Sequence, residues 1–412
     1  MADVTLTSQH TRSYPDLFRR MILNGAEAIL EESRRNPTIQ DAYARSEHLR
    51  NRALHTLRCV MSMPDAWPLT RDLLLMLAEP MERAGHRADW IRYLEVGLDE
   101  AVERKELAVA AEISYQLGLL YQHVAAYRQA EAHLHRCLAC NTELGDDIQR
   151  ARALNFLAYI AYLQRNYNDA HQFVQQALSL GAGDPERRAW SLMVIGCLAQ
   201  IEARWQDALH SWRESLTVWQ AIGDRKQIAY RLRDVGLACM YLEQYADAIE
   251  YYRQALTLAE DVADPVNCAI TQMNLAVVYF QDGRPQYAIP LLKDAATTLR
   301  RFDDGRHLAM AYNNLGLTYT ALGLWHEAEQ AYLASVDLWQ QTGDTLSLAE
   351  TVDGLGMVYL SQQAFAEATV QFERSLALVA DDQDAPRQHL RAQVTEHLLA
   401  AQAGLKQTPI VS

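Results

Sequence analysis

The feature that most constrains this chain is an internal repeat with a period of about 40 residues. A glycine or alanine returns seven times at this spacing, and we name this position the small slot. An alanine, a bulky residue and a second small residue follow each small slot at fixed distances. Repetition at such a period predicts a solenoid of stacked helical repeats rather than a single globular core. The small slots are Gly118, Ala158, Gly196, Gly236, Ala276, Gly316 and Gly356.

Each repeat should contain two antiparallel helices. Small residues such as Gly236 on the first helix and Ala248 on the second let the two backbones approach closely. Aspartate precedes most first helices, and its carboxylate can accept a hydrogen bond from a free backbone N–H. Glycine before that aspartate suits the left-handed conformation that ends a helix. The expected caps are Asp146, Asp184, Asp224, Asp264, Asp304 and Asp344, and the expected left-handed glycines are Gly145, Gly183, Gly223 and Gly343.

One repeat resembles the tetratricopeptide repeat with particular clarity. Its pattern is carried by Leu315, Gly316, Tyr319, Ala328, Tyr332 and Ser335. The period is similar to the long-helix subtype of kinesin light chain and of the sensor arms of bacterial STAND and MalT-like regulators. The resemblance implies an all-α fold, a right-handed superhelical solenoid of antiparallel helix pairs whose first helices line a concave groove.

The same pattern divides the chain into five segments. Residues 106–382 hold seven repeats, and residues 67–105 hold a degenerate helix pair in which Trp90 occupies an alanine position. Residues 1–66 should begin with a disordered stretch and continue with one helix from near Tyr14 to Arg35 and another from about Asn36 to Met63. This segment either caps the first repeat or docks a partner. Residues 383–405 should form a capping helix that starts at Asp384, and residues 406–412 a loose tail.

Charge and composition narrow the classes of function. The net charge of −14 argues against nucleic-acid binding, which needs Lys and Arg to neutralise phosphates. No apolar run is long enough to predict a membrane span, and the N-terminus lacks the apolar core of a secretory signal. Six cysteines without a framework spacing indicate reduced thiols and a cytoplasmic protein.

Motifs for chemistry are scarce. The chain has no phosphate-binding loop, zinc-protease motif or serine-hydrolase elbow. His133, Cys137 and Cys140 lie at helical spacing and form either part of a metal site or ordinary core. Core is preferred, because structural zinc needs a fourth ligand that is not evident. The sequence predicts no enzyme, no cofactor and no metal, although an active site assembled only by folding stays open.

The candidate binding residues lie on the first helices, at three or six positions before the small slot and four positions after it. The middle repeats place aromatic residues and methionine there, which suits adaptable peptide recognition. Two arginines should grip a carboxylate of the ligand. The alternative is that several of these residues pack as core. The predicted groove residues are Arg152, Asn155, Tyr162, Trp190, Met193, Tyr230, Arg233, Met240, Met273, Phe280 and Asn313.

Two functions fit this pattern. The first is a non-enzymatic scaffold or adaptor that binds a peptide or helical segment of a partner protein in the concave groove. The second is a sensor or regulatory subunit of a bacterial signalling or defence system, acting on a partner NTPase or protease. The identity of the partner and the oligomeric state are left open.

Overall fold

A computed structural model describes residues 14–36, 42–43, 46–83, 87–380 and 385–407. Within these residues the regular elements are nineteen α-helices and two short 3-10 turns, with no β-strand. The chain divides into two compact bodies, an N-terminal body of residues 1–198 and a C-terminal body of residues 199–412. The all-α architecture of paired helices predicted from the repeat is confirmed.

The N-terminal body begins with helices that precede the repeats. They are α1 (Tyr14–Arg35), α2 (Glu47–Met61), a 3-10 turn (Pro64–Ala66), α3 (Trp67–Arg83) and α4 (Arg87–Glu103). The first three repeats then supply α5 (Leu107–His123), α6 (Tyr127–Leu144), α7 (Asp147–Leu163), α8 (Tyr167–Leu180) and α9 (Pro185–Ile201). The boundary between the two bodies falls within α9.

The C-terminal body continues the pattern. Its helices are α10 (Trp205–Ile222), α11 (Arg225–Tyr241), α12 (Tyr245–Asp261), α13 (Pro265–Gln281), α14 (Ala288–Arg301), α15 (Gly305–Ala321), α16 (Trp325–Thr342), α17 (Thr345–Ser361), α18 (Phe365–Leu378) and α19 (Ala385–Gln407). A 3-10 turn at Pro285–Tyr287 replaces the first turn of the second helix in the fifth repeat.

The aspartate caps are confirmed in all six repeats. Each carboxylate accepts a hydrogen bond from the backbone N–H three residues later, at distances from 2.8 Å for Asp184 to 3.2 Å for Asp304. A negative side chain at this end also complements the helix dipole. The start of each first helix is therefore set by one residue that the sequence shows directly.

The left-handed glycines are confirmed at three of four positions. Gly145, Gly223 and Gly343 have φ angles of +70°, +84° and +74°. The prediction of a left-handed conformation is wrong for Gly183, because Gly183 does not have a positive φ angle. The step between the second and third small slots is two residues shorter than the others, and α8 has 14 residues where α6 has 18. The chain leaves α8 at Gly181 with φ −94°, so no left-handed residue is needed.

The turn inside each repeat uses a left-handed residue that the sequence did not reveal. Glycine fills it only at Gly283 and Gly323, whereas residues such as Glu243 (φ +59°) fill the others. A left-handed L-residue costs about 1–2 kcal/mol. The turn offsets this cost through backbone hydrogen bonds that close the preceding helix, for example from Gln244 N–H to the Cys239 carbonyl at 2.8 Å.

The small slots confirm the predicted packing of the two helices. A Cβ atom built on Gly356 would lie 2.5 Å from the Phe372 ring, and one on Gly316 would lie 2.8 Å from the Tyr332 ring. The bulky residue of the second helix therefore rests on the bare backbone of the first. The following small residue completes the joint, since the Ser335 hydroxyl donates to the Ala309 carbonyl at 2.8 Å.

The helices before the first repeat share one core with α5. Ala26, Ile29 and Leu30 of α1 are buried in it, and so is Trp90 at its degenerate alanine position. The expected first helix matches α1, but the described α2 begins at Glu47 behind a Ser46 cap rather than near Asn36. The expected disordered stretch, residues 1–12, and residues 37–41 and 44–45 lie outside the described part of the chain.

The last helix packs on the seventh repeat. Leu390, Val394 and Ala401 of α19 are buried against Phe372, and Gly404 lies against Phe365. This helix continues to Gln407, past the expected end at residue 405, so residues 406 and 407 are helical and not part of a loose tail. The expected helix start at Asp384 and residues 408–412 lie outside the described residues.

We expect Gly356→Ala to lower the free energy of unfolding by about 1–3 kcal/mol, because the methyl group would overlap Phe372. This should hold although alanine favours a helix interior over glycine by about 1 kcal/mol. Urea denaturation followed by circular dichroism measures the change. Gly305→Ala is the matched control, since its Cβ would meet only Thr342 at 3.9 Å. Phe372→Leu should cost less in the Gly356→Ala background than in wild type, and equal costs would contradict the contact.

Candidate functional site

The first helices of successive repeats contact one another directly in the C-terminal body, as α11 with α13, α13 with α15 and α15 with α17. We name the solvent-facing side of these helices the first-helix face. A helix turns by about 100° per residue, so positions six before and one after the small slot share one direction. Positions three before and four after it turn towards the neighbouring repeat. The four predicted groove residues that are buried all lie at these two positions.

In the N-terminal body, Arg152 of α7 is held by the neighbouring repeat. Its guanidinium donates to the Glu112 carboxylate at 2.6 and 3.3 Å and lies 3.6 Å from the centre of the Tyr115 ring. Burial disfavours the ionised Glu112, but the attraction and hydrogen bonds of Arg152 outweigh it, so the pKa of Glu112 lies below its ordinary value. Arg152 is therefore part of a joint between α5 and α7.

Asn155 forms a second joint between first helices. Its side-chain amide donates to the Arg187 carbonyl at 2.9 Å and its oxygen accepts from the Ser191 hydroxyl at 2.7 Å. Asn155 and Met193 are buried. Tyr162 and Trp190 remain half-buried, so the N-terminal body keeps two partly accessible aromatic rings among the predicted residues.

The C-terminal body repeats this arrangement. The Tyr230 hydroxyl donates to Asp264 at 2.8 Å, and Arg233 donates to the side-chain oxygen of Asn267 at 2.7 Å. The side-chain oxygen of Asn313 accepts from the Thr351 hydroxyl at 3.1 Å. Each bond joins a first helix to the next one along the chain. Polar residues at these positions therefore hold successive repeats together.

Part of the predicted groove is therefore inaccessible to a partner. Asn155, Met193, Met240 and Met273 are buried, because their positions turn towards the neighbouring helix. Arg152 is paired with Glu112, and Arg233 donates to Asn267, so both arginines already have partners within the chain. The half-buried residues that remain are Tyr162, Trp190, Tyr230, Phe280 and Asn313.

Sequence reasoning missed a set of accessible apolar residues on the first-helix face of the C-terminal body. Met310 and Leu317 of α15 are 39% and 44% exposed, at positions six before and one after the small slot. The same two positions of α13 hold the half-buried Ile270 and Val277, and position one after the slot of α11 holds Leu237. We name this set the apolar stripe: Leu237, Ile270, Val277, Met310 and Leu317. The sequence signal that could have identified these residues is the seven-residue spacing between two apolar residues of the same first helix.

An exposed aromatic pair lies at the end of the same helix series. Tyr241, the last residue of α11, is 51% exposed and stacks on Trp205 at 3.9 Å between ring centres. Trp205 opens the second helix of the preceding repeat. The pair therefore joins two successive repeats and stays partly exposed.

The described residues contain no group of three or more His, Cys, Asp or Glu side chains placed to hold a metal ion. Cys137 is buried, and burial raises the pKa of its thiol to about 12. His133 stacks on Tyr121 at 5.3 Å. No helix in the described part of the chain is both long and apolar enough to cross a membrane.

A sequence profile of the family described as Tetratricopeptide repeat matches residues 109–181, 187–261, 228–301, 267–332 and 307–381. These matches together cover more than half of the chain. No curated protein sequence matches the chain.

Several solved structures share the fold. A Rap protein complexed with competence and sporulation factor has a TM-score of 0.57 at 14% identity, with 92% of this chain and 98% of that chain covered. A STAND protein with a tetratricopeptide repeat sensor from Pyrococcus horikoshii has a TM-score of 0.53 at 15% identity, covering 88% and 54%. The quorum sensor NprR from B. thuringiensis has a TM-score of 0.50 at 16% identity, covering 71% and 83%.

We expect Glu112→Gln to lower the free energy of unfolding by about 1.5–3 kcal/mol at neutral pH, because Arg152 loses charged hydrogen bonds. A carboxyl group with a lowered pKa stabilises the fold above its ordinary pKa of 4.5, and that contribution is lost as the pH falls below it. Urea titrations from neutral pH down to about pH 3 should show the difference between wild type and variant shrinking. Glu143→Gln, at an exposed site on α6, is the control. A difference that is constant with pH would contradict the pair.

Proposed function

The chain belongs to the tetratricopeptide repeat family, and from that membership we propose that it is a non-enzymatic scaffold for a partner protein. The partner contributes a peptide or helical segment that lies along the first-helix face. In the C-terminal body this segment contacts the apolar stripe together with Tyr230, Phe280 and Asn313. In the N-terminal body Tyr162 and Trp190 offer contacts of the same kind.

The observation that carries the proposal is the alignment of the apolar stripe across three successive repeats. Solvent-facing apolar residues that occur singly are ordinary, but a contiguous set is typical of an interaction site. Each repeat contributes one or two members at equivalent positions, so a segment crossing the repeats meets apolar contacts at regular intervals. Burying such contacts contributes about 25 cal/mol per Å2 of apolar area.

Proteins of the same fold support this use of the face. NprR has been solved in complex with its cognate peptide NprX, with a TM-score of 0.50 and 17% identity to this chain. The Rap structure contains competence and sporulation factor. At such identities the likeness concerns the fold alone, so the chemistry of the ligand has to come from the residues of this chain.

Those residues favour a ligand with apolar anchors and no required acidic group. The two arginines expected to grip a carboxylate are occupied within the chain. The net charge of −14 favours segments whose flanks are neutral or basic, because like charges slow association. The six cysteines are free thiols, which supports our proposal that the protein works in the cytoplasm.

A second candidate is a sensor or regulatory subunit that acts on a partner NTPase or protease. The fold shared with a STAND protein's tetratricopeptide repeat sensor supports it. Both functions use the same face and differ in the partner. A partner whose nucleotide hydrolysis or proteolysis changes on binding would favour the sensor, and a partner without such activity would favour the adaptor.

Phage display of random peptides of about 12 residues tests the proposed face, because a peptide of that length can cross two or more repeats when extended. We expect selected peptides to bind wild type and to lose about ten-fold or more in affinity for Met310→Glu/Leu317→Glu, because the new charges must be desolvated. Fluorescence anisotropy with labelled peptides measures the affinities.

The matched control is Val370→Glu, which places the same charge on the exposed surface of α18, a second helix. It should bind the selected peptides as wild type does. Circular dichroism verifies that all variants keep the fold. If peptides bound the stripe variant and wild type equally, the first-helix face would have to be abandoned as the binding surface.

A further inference from the structure

The N-terminal helix α1 carries two separate apolar faces. One holds Ala26, Ile29 and Leu30, which are buried in the core of the N-terminal body. The other holds Phe18, Met21, Gly25 and Ala28 at spacings of three, four and three residues, the spacing of a helix–helix seam. We name this second set the outer seam.

The outer seam is open within the described part of the chain. Phe18 and Met21 are 59% and 65% exposed, and Ala28 is exposed as well. A Cβ atom built on Gly25 would meet nothing within 4 Å. Large exposed apolar side chains beside small ones that leave room for another helix are typical of an interface that lacks its partner.

Two exposed ion pairs join α1 to the body near its two ends. Arg19 pairs with Asp65, and Arg34 pairs with Asp72 at 3.5 Å. The buried face holds the middle of the helix in place. The outer seam is therefore presented on a helix that is already packed, so a partner need not order it.

We propose that a second copy of this chain covers the outer seam, with the two α1 helices antiparallel about a two-fold axis. In this register Phe18 lies opposite Ala28 of the second copy, and Met21 lies opposite its Gly25. Both pairs occur twice because of the symmetry. Each large side chain thus meets a small one, so the seam is complementary to itself in size.

The charges beside the seam match in the same register. Arg20 and Glu27 are exposed on one flank of α1, and neither forms an ion pair within the described residues. In the antiparallel pair Arg20 of one copy lies opposite Glu27 of the other, again twice. In a parallel pair the two-fold axis would place this flank of the two copies on opposite sides of the seam, so Arg20 and Glu27 would not meet.

The size of the seam predicts a weak dimer. From Phe18 to Ala28 the helix rises by about 15 Å, which is short compared with the interfaces of permanent dimers. We expect association at micromolar or higher concentrations rather than an obligate dimer. This interface is independent of the proposed partner-binding stripe, which belongs to the C-terminal body, so either proposal can fail without the other.

Sedimentation velocity of the full chain across a concentration series tests the dimer. We expect wild type to shift from monomer to dimer as concentration rises. Gly25→Leu should weaken association about ten-fold or more, because leucine would meet Met21 of the second copy. The same change has free space within its own chain and favours helix, so circular dichroism should show α1 intact.

Charge exchange tests the antiparallel register. Arg20→Glu and Glu27→Arg should each weaken association about ten-fold, since both ion pairs become repulsive. An equimolar mixture of the two variants should dimerise as wild type does. In the mixed dimer one copy carries glutamate at both positions and the other carries arginine at both, so each facing pair again joins opposite charges. A merely structural effect of either substitution would not be restored by mixing.

Three results would overturn the proposal. One is wild type that stays monomeric throughout the series. Another is a dimer that Gly25→Leu leaves unchanged or that mixing fails to restore. The last is monomeric protein that binds phosphatidylglycerol vesicles through Phe18 and Met21, lost in Met21→Glu, which would assign the seam to a lipid surface.

Discussion

The close approach of two helix backbones at the small slot is the contact on which each repeat depends. Phe372 on Gly356 and Tyr332 on Gly316 place a bulky side chain directly against bare backbone. Each contact fixes both the distance between the helices and their rotation about their own axes. Once that rotation is set, every other position on the first helix has a determined direction. The packing at the small slot therefore determines which positions of the first helix are exposed to solvent.

This fixed orientation explains why polar residues that face the neighbouring repeat bond to that repeat rather than to a ligand. Positions three before the small slot turn towards the next repeat, where Asn155 and Arg233 find partners. A partly buried polar group without a hydrogen bond costs free energy, so such positions are satisfied within the chain first. Positions six before and one after the slot face solvent in the middle of the C-terminal body. The residues at these positions can therefore differ between repeats and contact a partner.

Sequence alone predicted the architecture well because it rests on local signals. Asp184 before proline and Gly145 before aspartate report helix boundaries through hydrogen bonds and backbone angles a few residues away. The candidate site was predicted less well, because exposure depends on the rotation between neighbouring helices. Met273 and Met310 look equivalent as apolar residues of first helices, yet one is buried and the other is 39% exposed. Met273 lies three positions before its small slot and Met310 lies six positions before its own, so the two side chains point in different directions.

The same reasoning separates the repeats from the helix that precedes them. Each exposed apolar residue of the apolar stripe is one member of a series, so a partner that covers the stripe has to extend across several repeats. Helix α1 belongs to no series, and its outer seam must find all its contacts on one short helix. Large residues at one end and small ones at the other would be a poor surface for a uniform partner. They are complementary to a second α1 helix that runs antiparallel, and the same antiparallel arrangement places Arg20 opposite Glu27. Size and charge thus favour self-association at α1, while the stripe in the C-terminal body favours an extended segment of another protein.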